Sequence, residues 1–352
     1  MQAEPLAPKS FRTKLFLSLL AAAFLLLFGA CTPSHPQSTF GTAGPVAKMQ
    51  LDLFVFIFWV AVAVFIIVEG ILLYAVIKFR RKPDQGVPKQ VHGNTPLEIF
   101  WTILPALVLA IIAIPTIRTI YDTAIPPTAD AFEVTVVGHQ WWWEFKYPSL
   151  GVVTANELRI PIGEPIDLTL ESNDVIHSFW VPKLAGKTDV IPNNRNKMWF
   201  QADIPGTYFG QCAEFCGIAH ALMRLSVIAM PPDEFYSWVD TYKQASNQVQ
   251  TDLAAEGASL FSAKGCNACH TSEGPPIFDQ AGPNLTLFGL RTTIGDGKTE
   301  NNPVNQARWL RNPNDIKPGN RMFETAPYYQ SPTGTLTEDE IKALSAYLSN
   351  LK

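Results

Sequence analysis

The segment from Cys212 to Met223 reads Cys-Ala-Glu-Phe-Cys-Gly-Ile-Ala-His-Ala-Leu-Met, so two cysteines, one histidine and one methionine fall within twelve residues. Thiolate and thioether are soft ligands and imidazole is borderline, a set that suits copper, zinc or iron and excludes magnesium and calcium. Methionine argues against a structural zinc site, which uses Cys and His. A blue-copper centre takes one Cys, two His and a weak Met, whereas here two thiolates share one loop. Two such thiolates can bridge a pair of coppers, each copper then requiring a terminal imidazole. His220 supplies one. His177, in Asp174-Val175-Ile176-His177-Ser178-Phe179 after a predicted strand, is the candidate for the other; a lone histidine in such an apolar setting is otherwise a core residue. Met223 adds its thioether. A backbone carbonyl near Glu214 could complete the set, which would free the Glu214 carboxylate for a harder ion such as Mg2+. A structural zinc loop or a buried disulfide is the plainer alternative for the cysteine pair.

A second chemical signature is Cys266-Asn267-Ala268-Cys269-His270. Cys-x-x-Cys-His reads as covalent haem c attachment, with Cys266 and Cys269 forming thioethers and His270 the proximal ligand. A thioredoxin-like redox pair is the alternative, but no βαβ context surrounds it. Haem c used for electron transfer takes a distal Met, which raises its potential. Met322, in Gly319-Asn320-Arg321-Met322-Phe323, is the candidate.

The run Gly138-His139-Gln140-Trp141-Trp142-Trp143-Glu144-Phe145 puts four aromatics in five positions. Strand alternation turns at least one of Trp141–Trp143 into the core. An exposed remainder would serve as a docking patch where electrons enter.

These residues need elements to position them. The chain has 352 residues, 47% hydrophobic and only 16% charged, which points to membrane segments plus compact domains. The net charge of −4 suggests no nucleic-acid partner. Arg12 and Lys14, then the apolar run Leu15–Ala30, read as a targeting segment over residues 1–31. Cys31 after Gly29-Ala30 resembles a bacterial lipoprotein cleavage site. Phe28 departs from that pattern, and ordinary cleavage or an uncleaved anchor is the alternative. With every cysteine given a chemical role, no disulfide is expected.

Residues 32–48 are rich in Pro, Ser, Thr and Gly and read as a flexible lead-in. Leu51–Ile77 is long and apolar enough for a tilted membrane helix, with Glu69 expected to pair with a neighbouring subunit. Lys78, Arg80, Arg81, Lys82 and Lys89 then mark the cytoplasmic side. Leu97–Ile117 returns outward despite Pro105 and Pro115. Everything after about Tyr121 is extracytoplasmic.

Over 126–230 the alternations Phe132/Val134/Val136, Leu158-Arg159-Ile160, Ile166–Leu170, Met198–Phe200 and Leu225–Ile228 predict short strands of a sandwich or barrel. The metal loop lies between two of them. A helical stretch follows Pro231-Pro232, then a polar linker near Gln244–Thr251. A final helix opens on a Thr337/Glu340 capping box with a Leu336–Ile341 staple.

Several of these segments resemble subunit II of the haem-copper cytochrome c oxidases over residues about 45–235: Glu98–Pro105, Gly138–Trp141, Asp174–Trp180, Lys187-Thr188-Asp189 and Cys212–Met223. Residues about 252–352 resemble a class I cytochrome c, a fusion similar to the caa-type bacterial oxidases. The resemblance implies a multidomain membrane protein. Its parts are a signal or lipoprotein segment (1–31), a two-helix transmembrane hairpin (45–122), an all-β cupredoxin-like copper A sandwich (126–235) and an all-α cytochrome c domain (252–352). It implies that Cys212 and Cys216 bridge a binuclear copper A, with His177 and His220 as terminal ligands, Met223 as a weak ligand and Glu214 binding through its carbonyl. The Glu214 side chain would reach Mg2+ or Mn2+ at the subunit I interface. Trp141 matches the tryptophan through which electrons enter, and Glu98 a carboxylate at the mouth of a proton path. The family often has Trp-Tyr-Trp where this chain has Trp141-Trp142-Trp143. Expected partners are subunits I and III, the plasma membrane, and cytochrome c or a quinol–cytochrome c reductase as donor. The expected function is to pass electrons from haem c through copper A to subunit I. There O2 is reduced with proton pumping. Competing readings are a copper A subunit of a nitric oxide reductase, a nitrous oxide reductase, and a quinol-oxidase-type subunit. Six histidines and two membrane helices argue against the second; the intact ligand set argues against the third.

Overall fold

The computed structural model describes residues 35–81, 86, 90–245, 249–273, 281–330 and 335–352, with Lys14, Ser18, Leu19, Ala21 and Ala22 before them. Cys31, most of the targeting segment, Lys82 and Lys89 lie outside the described residues.

Two long helices come first, α1 (Pro45–Lys78) and α2 (Thr95–Ala124). Their spans have mean hydropathies of 2.9 and 2.4 and bury none of that apolar surface within the chain. An unburied helix surface of this kind is satisfied by lipid or by neighbouring helices. Each is longer than the apolar run alone predicts. The lead-in is shorter than expected, because Ala43, Val46 and Ala47 are buried. Ala43 N–H donates to the Lys183 carbonyl at 2.8 Å and its own carbonyl accepts from Asp203 N–H at 2.9 Å. Small apolar side chains fit there against the next domain, so the segment is ordered where composition alone predicts flexibility.

The second unit is a sandwich of two five-stranded sheets. One sheet has the order β3-β2-β1-β5-β8, from β1 (Phe132–His139), β2 (Trp142–Tyr147), β3 (Val152–Ala155), β5 (Ile166–Ser172) and β8 (Asn196–Phe200). The other has the order β4-β10-β9-β6-β7, from β4 (Glu157–Pro161), β6 (His177–Trp180), β7 (Thr188–Val190), β9 (Gly206–Cys212) and β10 (Arg224–Met230). β1 runs parallel to β5 and β4 parallel to β10; the other pairs are antiparallel. The inward positions of both sheets, among them Trp143, Phe145, Leu158, Leu168, Phe179, Phe200 and Leu225, form one buried core. Helix α3 (Pro232–Gln244) closes its edge through Phe235, Trp238 and Tyr242.

The third unit is built on α4 (Asp252–Ala263), α5 (Pro303–Arg311), α6 (Arg321–Thr325), α7 (Pro327–Gln330) and α8 (Glu338–Asn350). A small ribbon of β11 (Thr293–Ile294) and β12 (Thr299–Glu300) interrupts the expected all-α pattern. The core joins Phe261 of α4, Leu310 of α5 and Ile341, Leu344 and Tyr347 of α8. The predicted capping box is present: Thr337 Oγ1 accepts from Glu340 N–H, and Glu340 Oε2 from Thr337 N–H.

Candidate metal centre and haem site

β9 ends at Cys212 and β10 begins at Arg224, and the intervening loop is tied at its base by Cys212 N–H donating to the Met223 carbonyl at 3.0 Å. A 3-10 turn at His220–Leu222 aims the histidine back at the cysteines. The two sulfurs, Cys212 Sγ and Cys216 Sγ, lie 3.8 Å apart. That is far beyond the roughly 2.05 Å of a disulfide, yet a metal with bonds of about 2.3 Å reaches both. His177 Nδ1 lies 3.9 Å from Cys212 Sγ, His220 Nδ1 3.6 Å from Cys216 Sγ, and Met223 Sδ 3.8 Å from Cys216 Sγ. The Glu214 carbonyl oxygen lies 3.2 Å from Cys212 Sγ. His177, Cys212 and Cys216 are all buried, with ligand atoms within 4.8 Å of one another. All six sequence-predicted donors therefore converge, with one histidine beside each sulfur. The Glu214 side chain is exposed and accepts a bond from Phe215 N–H at 3.2 Å.

Electrostatics favours soft-metal binding. Hydrogen bonding from Cys216 and His177 holds the Cys212 thiol well below its ordinary value, while the same contact with Cys212, together with burial, pushes Cys216 up. Burial opposes a charged His177 ring, but bonding to Asp174 and Cys212 holds it above its ordinary value. Asp174 accounts for this: its Oδ1 lies 2.8 Å from His177 Nε2 and its Oδ2 accepts from Gln140 N–H at 2.6 Å. Sequence reasoning gave Asp174 no role.

β1 and β2 bring the tryptophan run to the same loop. Gln140 Nε2 and Trp141 Nε1 both donate to the Cys216 carbonyl, at 2.7 and 2.9 Å. Gly217, at φ 117°, lets that happen, since a Cβ there would sit 3.0 Å from the Trp141 ring. Trp143 is the core member, fully buried and edge-on to His177 at 5.9 Å. Trp142 stacks on His139 at 4.2 Å. Trp141 and Trp142 are half-buried rather than forming an open patch.

In the third unit Cys266 and Cys269 are free and half-buried on one 3-10 turn. Burial pushes the Cys266 thiol up, opposed by a bond to the buried Tyr328 hydroxyl, a neighbour the sequence did not suggest. His270 Nδ1 lies 2.8 Å from the Pro283 carbonyl. A carbonyl only accepts, so the proton sits on Nδ1 and Nε2 is left to bind iron. Burial lowers this ring's affinity for a second proton, which favours the neutral form that ligates. The donor set and tautomer fit a haem. Met322 lies half-buried in α6, whose first turn is capped by Asn320.

Glu98 is exposed in the first turn of α2, where its Oε1 accepts from Asn94 N–H at 3.2 Å. In this chain it is therefore a helix-terminus cap.

Three family models match in chain order: "Cytochrome C oxidase subunit II, transmembrane domain" over residues 34–119, "Cytochrome C oxidase subunit II, periplasmic domain" over 150–230 and "Cytochrome c" over 254–352. The cytochrome c oxidase subunit 2 of Alkalihalophilus pseudofirmus is 39% identical, covering 95% of this chain and 96% of the relative. The chain belongs to the cytochrome c oxidase subunit II family. The subunit 2 of Bacillus subtilis is 38% identical over the same shares of both chains. A quinol oxidase subunit 2 of Bacillus cereus is 33% identical over 67% of this chain.

Membership makes this subunit II a component of a haem-copper oxidoreductase complex with subunit I as partner, carrying a cytochrome c domain at its C-terminal side. It implies a copper A site in the sandwich and a haem in the third unit. α1 and α2 anchor the subunit in the membrane. The relatives are oxidase subunits, which does not favour the nitric oxide reductase reading.

Proposed function

We propose that this subunit is the electron conductor of a caa-type oxidase. Electrons taken up at the third unit pass to the sandwich and on to haem in subunit I, where O2 is reduced to water with proton pumping. The observation that carries this is the convergence of two sulfurs 3.8 Å apart with an imidazole beside each. Cys212 and Cys216 would hold two coppers, with His177 and His220 terminal, Met223 and the Glu214 carbonyl completing the shell. A thiolate-bridged copper pair supplies one-electron exchange with its charge change spread over two metals. Cys266 and Cys269 would attach haem c covalently, with His270 and Met322 as the residues that would bind its iron.

The residues around these groups do defined work. Asp174 fixes the His177 ring, and the Pro283 carbonyl fixes His270. Trp141 donates its indole N–H to the carbonyl of a bridging cysteine, which places an aromatic ring directly against the loop. The exposed Glu214 carboxylate would bind Mg2+ or Mn2+ at the subunit I interface, and Glu98 would stand at a proton path into subunit I. Both metal-bearing units would lie on the extracytoplasmic side, subunit III completing the complex and cytochrome c or a quinol–cytochrome c reductase serving as donor.

Metal and optical analysis of the purified oxidase tests this. Beyond the metals of subunit I, two coppers and one haem c per chain, with a purple mixed-valence copper spectrum, are expected. A single copper with a blue-copper spectrum would overturn the site assignment.

A further inference from the structure

The third unit does not hang from its linker: it meets the sandwich through polar groups that are themselves buried. Glu157, 2% exposed at the start of β4, points out of the sandwich into the third unit. Its Oε1 accepts from Thr292 N–H at 2.7 Å, Thr292 Oγ1 at 2.6 Å, Thr293 N–H at 3.0 Å and Thr293 Oγ1 at 3.2 Å. Lys317 crosses the other way. It is 2% exposed, and its Nζ donates to the Trp141 carbonyl at 2.6 Å and the Gly295 carbonyl at 2.7 Å. Leu287, from the third unit, is buried within the core cluster of the sandwich.

Burying a carboxylate and an ammonium is costly unless each is fully bonded. A transient encounter surface keeps its charges at a wet rim, where they steer and release. Here two charged groups are instead sunk into the contact: Glu157 Oε1 takes its four hydrogen bonds from the third unit while Oε2 lies 3.6 Å from Arg159 of its own strand, and Lys317 divides its two bonds between Trp141 of the sandwich and Gly295 of its own unit. The segment they fix is specific. Lys317 holds the backbone of Trp141, and two residues on, Gly319 at φ 75° lies so close that a Cβ would be 3.5 Å from the Trp141 ring and would clash with Ile218 of the metal loop. Met322 follows three residues later.

We propose that Lys317 and Glu157 are positioning residues that keep the cytochrome unit permanently docked, with the segment Lys317–Met322 seated on Trp141. Electrons then cross between the two sites without a domain search. The proposal rests on the electron-conductor reading above, but its structural half is tested separately.

In the intact oxidase, the Thr292 and Thr293 amides, which bond only across the contact, should exchange hydrogen as slowly as amides inside the sandwich. Flash reduction of haem c should be followed by transfer to copper at a rate that glycerol does not slow. Lys317→Met should speed exchange at Thr292 and Thr293, which it does not touch. The same variant should slow transfer by about tenfold or more, make it viscosity-dependent and leave both optical spectra unchanged. Lys317→Arg should recover part of the rate. If Lys317→Met does not assemble, Glu157→Ala should give the same viscosity dependence. Fast exchange at both threonine amides in the unaltered oxidase would overturn the proposal. So would transfer in the assembled variant that stays at the original rate and insensitive to viscosity. Absence of copper from the chain would instead sink the electron-conductor reading, while the exchange data would still report on docking.

Discussion

Asp174 Oδ1 lies 2.8 Å from His177 Nε2, on the side of the ring opposite the nitrogen that faces Cys212. A carboxylate only accepts, so it holds the ring proton on Nε2 and presents a bare Nδ1 to the metal. Asp174→Asn keeps the shape but loses that preference. Copper affinity should fall about 10- to 100-fold, the usual range for such outer-shell changes. Titration with a competing chelator measures it. Unchanged affinity would mean that the sandwich alone fixes the ring.

Cys216 lies 3.6 Å from His220, 3.8 Å from Met223 and 3.8 Å from Cys212. Its carbonyl also receives Gln140 and Trp141. Cys216→Ser should abolish the mixed-valence copper spectrum and leave haem c absorbance intact, because the third unit has its own core. A retained purple spectrum would exclude a bridging role for this sulfur.

For the haem, Met322→Ala should lower the reduction potential, since a thioether axial ligand raises it. Redox titration of the haem c band reads this directly. No change in potential would assign the sixth ligand to another residue.

Much of the site was legible because its demands are local. Cys212, Cys216, His220 and Met223 share one loop, and the chemistry of two thiolates called for a second imidazole; the His177 ring lies 3.9 Å from Cys212 Sγ. The strands showed in the alternation at Phe132–Val136 and Ile166–Leu170, and α8 in its capping box. What escaped depends on partners far away in sequence. Lysine is normally a surface residue, and nothing near Lys317 signals a bond to Trp141, 176 positions earlier. Glu157, next to the predicted strand Leu158–Ile160, meets Thr292 135 positions later. The tryptophan run was expected to leave an open patch. Trp141 is instead half-buried, packed against the sandwich core and the metal loop and lying beside Gly319 of the third unit. Ala43, Val46 and Ala47 looked like linker because small residues carry no periodic signal of their own.

Burial drives Lys317 down to about 8 from 10.5, with Asp296 and Cys216 pulling weakly the other way. The sign of the pH effect follows. Between about 8 and 10.5 the unfolded chain holds a proton that the folded chain has released, so stability rises with pH across that window. Below it, the folded protein carries the full cost of the buried ammonium, about 3 kcal/mol at 1.36 kcal/mol per pH unit. Comparison with Lys317→Met isolates the contribution of this one group. The variant should therefore lack a stabilisation of that order between pH 8 and 10.5, measured by denaturant unfolding at each pH. Parallel pH profiles would mean that the Lys317 ammonium reaches water in the folded protein, and the contact at Trp141 would then be looser than its 2.6 Å bond indicates.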